Sequence, residues 1–390
     1  MIRGYIPGFA RPARETRYGD AQVITDGRYT LVIDGMCGEG ASKLIRWLKK
    51  NGHRKLWLLI THWHDDHFAG IERIMKDDFF QPQRLYCPNP AWLKPGIGGY
   101  HTGDVEECMA DGERIVALAK KKRVPVTFPI SGSSYKLGQI RFKLYKQQPK
   151  KVAKDDTHAW AFVNDGSVST WFPSVGYWTS GDGCGTSDQK ARIRHLRLTG
   201  KIRWFKTDHH GGYCTESNAL FFKQQGADYC WYNDLEPDGV GTEEFTKFGV
   251  RRCKQAGIHV FESVGDINWI AQNGKVSIYK DGAVYRYVCP YKGKSALRSP
   301  RVDTVRAVIR GDYGTDNART TSLIDAGFYP VATQSKANKV VATAKGIMEG
   351  RLNYGKGAVQ IAKVDGLLGI GYGQLVQDYI NVLAGARKEL

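Results

Sequence analysis

The chain of 390 residues has no apolar run long enough to cross a bilayer, and its start, Met1-Ile2-Arg3-Gly4-Tyr5-Ile6-Pro7-Gly8, lacks the apolar core of a signal peptide. The expectation is a chain with no membrane span, synthesised in the cytoplasm without an export signal. Its cysteines, Cys37, Cys87, Cys108, Cys184, Cys214, Cys230, Cys253 and Cys289, include no C-x-x-C pair. That speaks against a structural zinc knuckle or a small disulfide framework and leaves reduced thiols as the default. No Gly-x-Ser-x-Gly elbow occurs, so nothing supports a serine nucleophile of that kind. The glycines of Gly369-Ile370-Gly371-Tyr372-Gly373 follow no strand-like segment, and a turn explains them better than a dinucleotide loop. Acidic residues are scarce too: 39 Asp and Glu face 57 Lys and Arg, a formal net charge of +18.

Metal-ligating side chains, by contrast, are concentrated. Thr61-His62-Trp63-His64-Asp65-Asp66-His67 follows directly on the apolar, strand-like Leu56-Trp57-Leu58-Leu59-Ile60. Neutral imidazoles and carboxylates suit borderline cations such as zinc, and a tight loop at a strand end aims alternate side chains at two adjacent metals. A histidine-rich surface loop is the plain alternative, but it needs no strand before it and predicts no partners downstream. Two divalent cations about 3.5–4 Å apart lower the pKa of a bridging water to about 7 and stabilise charge on attacked and leaving oxygens. The expected chemistry is hydrolysis by a metal-bound hydroxide. Zinc is the first choice of metal, and manganese fits the same ligands.

In order and spacing the cluster resembles the signature of the metallo-β-lactamase superfamily, which implies an α/β fold, an αββα sandwich with its metals at one edge. The resemblance implies His62, His64, Asp66 and His67 as ligands, Asp66 on the second metal. Leu31-Val32-Ile33-Asp34-Gly35 resembles the family's early strand, which implies that Asp34 braces the metal loop without ligating. Tyr177-Trp178-Thr179-Ser180-Gly181-Asp182 resembles the strand whose carboxylate bridges the metals, here Asp182. Lys206-Thr207-Asp208-His209-His210-Gly211-Gly212 resembles the His-His-Gly motif of the ComEC-like branch. One of His209 and His210 is then expected to complete the second site and the other to donate to the oxyanion or leaving group. The sequence leaves that assignment open, and Asp66, His209 and His210 are the catalytic candidates. Asp155-Asp156-Thr157-His158-Ala159 departs from the branch; His158 either completes the first metal's shell or is a hydrogen-bonded core residue. Asp65 is expected to hydrogen-bond the loop or a ligand imidazole. Trp63 and Tyr213 either form an aromatic wall for substrate or pack in the core.

Length calls for a second module. Lys292-Gly293-Lys294-Ser295-Ala296-Leu297-Arg298-Ser299-Pro300 is polar, basic and aperiodic, so we divide the chain into a hydrolase domain, 1–291, a linker, 292–301, and a helical module, 302–390. Apolar spacing in Val302, Val305 and Ile309, and in Leu375, Tyr379 and Val382, reads as a small all-α module. Ala307-Val308-Ile309-Arg310-Gly311-Asp312-Tyr313-Gly314 has a loose counterpart in Gly346-Ile347-Met348-Glu349-Gly350-Arg351-Leu352-Asn353-Tyr354-Gly355, each followed by an amphipathic stretch, which suggests two copies of one unit. The first copy resembles the cell-wall-binding repeats of phage lysozymes.

Residues 292–390 hold 15 Lys and Arg against 8 Asp and Glu, leaving 42 against 31 for residues 1–291, so both parts are basic and an anionic polymer is the expected partner. The run Lys120-Lys121-Lys122-Arg123 is expected to close a helix begun near Val105, where basic residues complement the dipole. Two enzymatic readings follow. In the first, a phage-lysin-like hydrolase is held on the bacterial wall by its repeats and cuts a wall polymer, a peptidoglycan amide or a teichoic-acid phosphodiester, acting there after release from the cell. The alternative is a ComEC-like nuclease or phosphodiesterase acting on DNA. A non-enzymatic metal-dependent binding protein is disfavoured by so full a set of ligands.

Overall fold

The computed structural model describes residues 1–8, 19–93, 103–146, 163–183, 186–196, 198, 200–211, 213–233, 242–262, 265–289, 301–313, 319, 323, 330–352, 370–386 and 388–389. Two compact units are formed: Met1–Leu198 with Ile202–Lys223 and Ala227–Gly293, and Lys294–Leu390 with Thr199–Lys201 and Gln224–Gly226. The stretch 292–300 of the expected linker lies outside the described residues.

The first unit is built on two sheets. One has nine strands in the order β16-β15-β14-β1-β2-β3-β4-β5-β6, the other seven in the order β13-β12-β11-β10-β9-β8-β7. Their ranges are β1 Ile2–Ile6, β2 Gln22–Thr25, β3 Thr30–Ile33, β4 Lys55–Leu59, β5 Gln81–Tyr86, β6 Val126–Thr127, β7 Ser134–Leu137, β8 Ile140–Lys146, β9 Val168–Phe172, β10 Tyr177–Thr179, β11 Trp204–Lys206, β12 Tyr229–Tyr232, β13 His259–Glu262, β14 Ile267–Gln272, β15 Lys275–Lys280 and β16 Ala283–Val288. Helices α1 (Gly38–Lys50), α2 (Asp65–Lys76) and α3 (Gly103–Lys121) follow strands of the first sheet, while α4 (Thr186–His195), α5 (Tyr213–Gln224) and α6 (Thr242–Gln255) belong to the second. Strands β3, β4 and β5 run parallel, as do β10 to β13, because helical crossovers return the chain to the same sheet edge.

Alternation along the strands makes the layers. Val32, Leu56, Leu58 and Leu85 point outward into one core with Leu44 and Leu48 of α1, Ile71 and Ile74 of α2, and Ile115 of α3. The other face meets the second sheet: Trp204 packs perpendicular to Trp269 at 5.9 Å, and Tyr177 donates its hydroxyl to Gln22 Oε1 at 2.6 Å. On the far side Phe205 of β11 stacks on Phe222 of α5 at 4.2 Å. The result is the αββα sandwich expected from the sequence. Each fully buried Leu, Ile or Phe contributes roughly 1.5–3 kcal/mol.

Among its described residues the second unit is helical, with α7 (Val302–Arg310), α8 (Pro330–Met348) and α9 (Ile370–Leu383). Val305, Val308, Val340, Ala344, Leu375 and Val376 form its own core, and Arg306 pairs with Asp378 at 2.8 Å. Gly311 caps α7 in the left-handed region at φ 93°, and Gly350 follows α8 at φ 68°. Both motifs that suggested a repeat therefore start on the last turns of a helix and run through a left-handed glycine. Among the described residues, no helix is long and apolar enough to cross a membrane.

Candidate metal centre

The His-rich segment adopts a strand, loop and helix start. After β4 the chain leaves the sheet, and His64, extended at φ −91° and ψ 145°, precedes the first turn of α2. His62 and His64 are thus presented by a loop, and Asp66 and His67 by a helix N-terminus. Acidic Asp65 and Asp66 in that turn and Arg73 and Lys76 in the last favour the helix by complementing its dipole. The facing sheet delivers Asp182 from the loop after β10, and Lys206, Asp208 and the His209-His210 turn from the end of β11. Non-glycine residues take left-handed backbone here, Asp34 at φ 56°, Met36 at 60°, His209 at 41° and His210 at 51°. Such conformations persist where surrounding contacts enforce them.

Ligand atoms of Asp20, His67, Asp182 and His210 lie within 4.8 Å of one another, and all four residues are buried. His210 Nε2 stands 3.0 Å from Asp182 Oδ2 and 3.2 Å from Asp66 Oδ2; His67 Nε2 stands 3.3 Å and 3.6 Å from the same oxygens. His62 Nε2 is 3.9 Å from Asp182 Oδ2 and 3.0 Å from His64 Nδ1. Behind this group Asp34 accepts from Thr61 N–H at 2.8 Å and from His67 Nδ1 at 2.9 Å. Asp65 accepts from the Asp66 N–H at 2.9 Å, a hydrogen bond within the metal loop.

Sequence reading missed Asp20, a lone acid before β2 outside every motif. The fold brings it in: its N–H donates to the Asp66 carbonyl at 3.1 Å, and its carbonyl accepts from Met36 N–H at 3.0 Å. Lys206, fully buried, forms an ion pair with Asp20 Oδ2 at 2.6 Å and donates to Asp182 Oδ1 at 3.1 Å and to the Gly181 carbonyl at 3.0 Å. Asp208 accepts from Ser180 at 2.5 Å, Gln189 at 2.9 Å and Asn218 at 2.7 Å, anchoring the strained turn that follows it.

Trp63 is corrected by the structure. It is 2% exposed in the core with Phe68 and Leu93, with Gly112 of α3 against its ring, so it packs and offers no wall to substrate. A side chain between two loop ligands must point the other way, and here that way is into the helical layer. Tyr213 opens α5, and its side chain, like all of His158, lies outside what is described.

Burial comes first in every titration at the centre. It holds His62 and His64 below the usual imidazole value and pushes His209 down to about 4. Burial also opposes the charge on His67 and His210, but there the carboxylates prevail, Asp182 foremost, lifting His210 to about 9 and His67 above its usual value. Asp66 and Asp182 are held low despite burial, chiefly by those imidazoles. Burial raises Asp208 to about 6 against its hydrogen bonds.

The residues fit a divalent cation. Asp20, Asp34, Asp66, Asp182 and Asp208 are all buried, with Lys206 paired to Asp20 and Asp182, and so many buried carboxylates call for further positive charge. Nδ1 of His210, 3.7 Å from Asp20, is buried without a hydrogen bond. Mixed imidazole and carboxylate donors suit zinc, manganese or iron.

The metallo-β-lactamase superfamily model matches residues 15–81 of the chain, the stretch that carries β2 to α2 and the metal loop, and the first unit has the αββα layering. No curated protein matches the chain. Among solved structures, the metallo-β-lactamase fold protein YhfI from Bacillus subtilis is 14% identical over 68% of this chain and 99% of its own, with a TM-score of 0.42. Igni18, a metallo hydrolase from Ignicoccus hospitalis, is 13% identical over 69% and 100%, with a TM-score of 0.41. A diphosphatase from the PhnP family is 12% identical over 68% and 97%, at 0.39. These likenesses are of fold alone and assign no substrate.

Proposed function

We propose that the chain is a metal-dependent hydrolase whose centre is held by His62, His64, Asp66, His67, Asp182 and His210, with Asp20 added to that set. The observation that carries the reading is the convergence of Asp20, His67, Asp182 and His210 within 4.8 Å in a buried site. When bound, a divalent pair supplies an activated water and Lewis-acid stabilisation of the attacked and leaving oxygens. The chain's own residues do the rest. Asp34 holds His67 by Nδ1, leaving Nε2 directed at Asp182. Lys206 neutralises Asp20 and keeps Oδ1 of Asp182 engaged, so Oδ2 faces the imidazoles. His210 stands closer to Asp66 and Asp182 than a leaving-group donor needs to, so His209, neutral at pH 7, takes the role of hydrogen-bonding the oxyanion or leaving group.

For substrate we favour a bacterial wall polymer, a peptidoglycan amide or a teichoic-acid phosphodiester, reached by a chain released from the cell and held by its C-terminal unit. A helical unit with a separate core supports this reading, since a binding module folds by itself. The second reading, a nuclease, is favoured by the excess of 42 basic over 31 acidic residues in 1–291. The test sets metal-loaded protein against purified Gram-positive walls and linear DNA, with EDTA and His64→Ala controls. Chelator-sensitive wall solubilisation with intact DNA supports the first reading. DNA cleavage with inert walls supports the second, and activity that survives both EDTA and His64→Ala removes the metal centre from the mechanism.

A further inference from the structure

Beside β4, β5 and β7 of the first unit lies an open cavity of about 520 Å³ lined by Tyr29, Trp57, Arg84, Tyr86, Tyr135 and Lys136. Ligand sites for small molecules span about 300–1,000 Å³ and combine apolar walls with a few placed polar groups. The walls here are two aromatic pairs. Tyr29 and Trp57 meet at 5.3 Å with tilted planes, and Tyr86 and Tyr135 meet edge to face at 4.9 Å. Tyr29, Trp57 and Tyr135 are half-buried, so part of each ring remains accessible.

The polar groups are cations. Arg84 is fixed by one nitrogen, which donates to Thr127 Oγ1 at 2.7 Å, and Lys136 is exposed. Among the described residues neither forms an ion pair. Asp26, at this end, accepts from the backbone N–H groups of Arg28 at 3.0 Å, Tyr29 at 2.8 Å and Gln139 at 2.7 Å, which keep its carboxylate ionised, so the cations are set against one acid. Arg28 adds a third positive charge, 5.4 Å from the Tyr29 ring. A guanidinium anchored at one nitrogen keeps its other donors for an anion, and phosphate matches their fork geometry. Aromatic faces beside such a cation stack on planar bases.

We infer that this cavity binds a nucleotide, its base against the Tyr29–Trp57 or Tyr86–Tyr135 rings and its phosphate on Arg84 and Lys136. The source is either a free mononucleotide or one unit of a single strand. The inference does not rest on which polymer is cut at the metal centre: the lining residues lie on β4, β5 and β7 and in the turn before β3, and none of them is a proposed metal ligand.

The test is isothermal titration of the full chain, with the metal centre silenced by His64→Ala, using adenosine monophosphate, adenosine, inorganic phosphate and a short oligothymidylate. The expected result is binding of the monophosphate about tenfold tighter than of adenosine, which lacks the charge-assisted contact, or of phosphate, which lacks the stacked base. Arg84→Gln and the exposed Lys136→Gln each weaken it several-fold, and Tyr135→Leu lowers affinity for monophosphate and adenosine alike. Tighter binding of the oligomer points to a strand, tighter binding of the monophosphate to a free nucleotide. Equal affinities in the parent and in Lys136→Gln and Arg84→Gln, or no heat from any probe at millimolar concentration, overturn the inference.

Discussion

Oδ2 of Asp34 lies 2.9 Å from Nδ1 of His67, and the same carboxylate takes the Thr61 N–H and hydroxyl, each at 2.8 Å. One side chain from the end of β3 thus fixes the first residue of the metal loop and an imidazole on the helix after it. With Nδ1 of His67 committed to Asp34, Nε2 is the nitrogen turned to Asp182 and Asp66. Partners of this kind typically contribute 10–100-fold in metal affinity. Asp34→Ala is therefore expected to weaken zinc binding by about that factor, measured by competition with a chromophoric chelator. Unchanged affinity would show the brace to be idle.

Backbone hydrogen bonds also hold helix α2 against the end of β3. Gly35 N–H donates to the His67 carbonyl at 2.7 Å and Gly70 N–H to the Met36 carbonyl at 2.8 Å, and a Cβ on Gly70 would collide with the Gly35 carbonyl. Overpacking of this kind costs about 1–3 kcal/mol. Gly70→Ala is expected to lose that much stability in urea and to weaken metal binding, because His67 rides on the displaced helix. A variant that keeps full stability and full affinity would mean that the contact yields without consequence.

How much of this was legible follows from which residues sit in local patterns. The strand–loop–helix carrying His62, His64, Asp66 and His67 could be read because period, charge and ligand type coincide within one short segment. Asp34 and Asp182 were reached through resemblance, each at a strand end. Asp20 carries no local mark; only the pairing of its backbone with Asp66 and Met36 brings it to the centre. Lys206 opens the segment that ends in His209-His210-Gly211-Gly212, yet strand alternation says only that it points inward and not that it meets two carboxylates. The fate of Trp63 depends on the helix packed over it, which no local pattern specifies.

Lys206 and Asp20 form a buried ion pair at 2.6 Å. Removing one partner of such a pair leaves the other charge buried and commonly costs 3–5 kcal/mol. In metal-free protein, Lys206→Met should destabilise by about that amount, and Lys206→Met with Asp20→Asn should recover part of the loss, since the double variant strands one charge fewer. A double-mutant cycle in urea with EDTA present measures the coupling. Strictly additive losses would mean that the two groups do not stabilise each other.

Lys146, at the end of β8, has its ammonium 2.7 Å from the centre of the Trp92 ring, and burial pushes its pKa down to about 7, with only the neighbouring Cys87 opposing. The unfolded chain titrates this group near 10.4. Between about pH 7 and 10 the unfolded state therefore binds more protons, and this group's contribution to stability rises with pH. Below about pH 7 the folded state carries the full cost of a buried charge. Lys146→Met, similar in volume and uncharged, should accordingly be more stable than the parent at pH 6, with the advantage shrinking as pH approaches 10. Thermal unfolding of both proteins across that range checks the sign: a gap that is constant, or that widens with pH, would place the Lys146 charge in water.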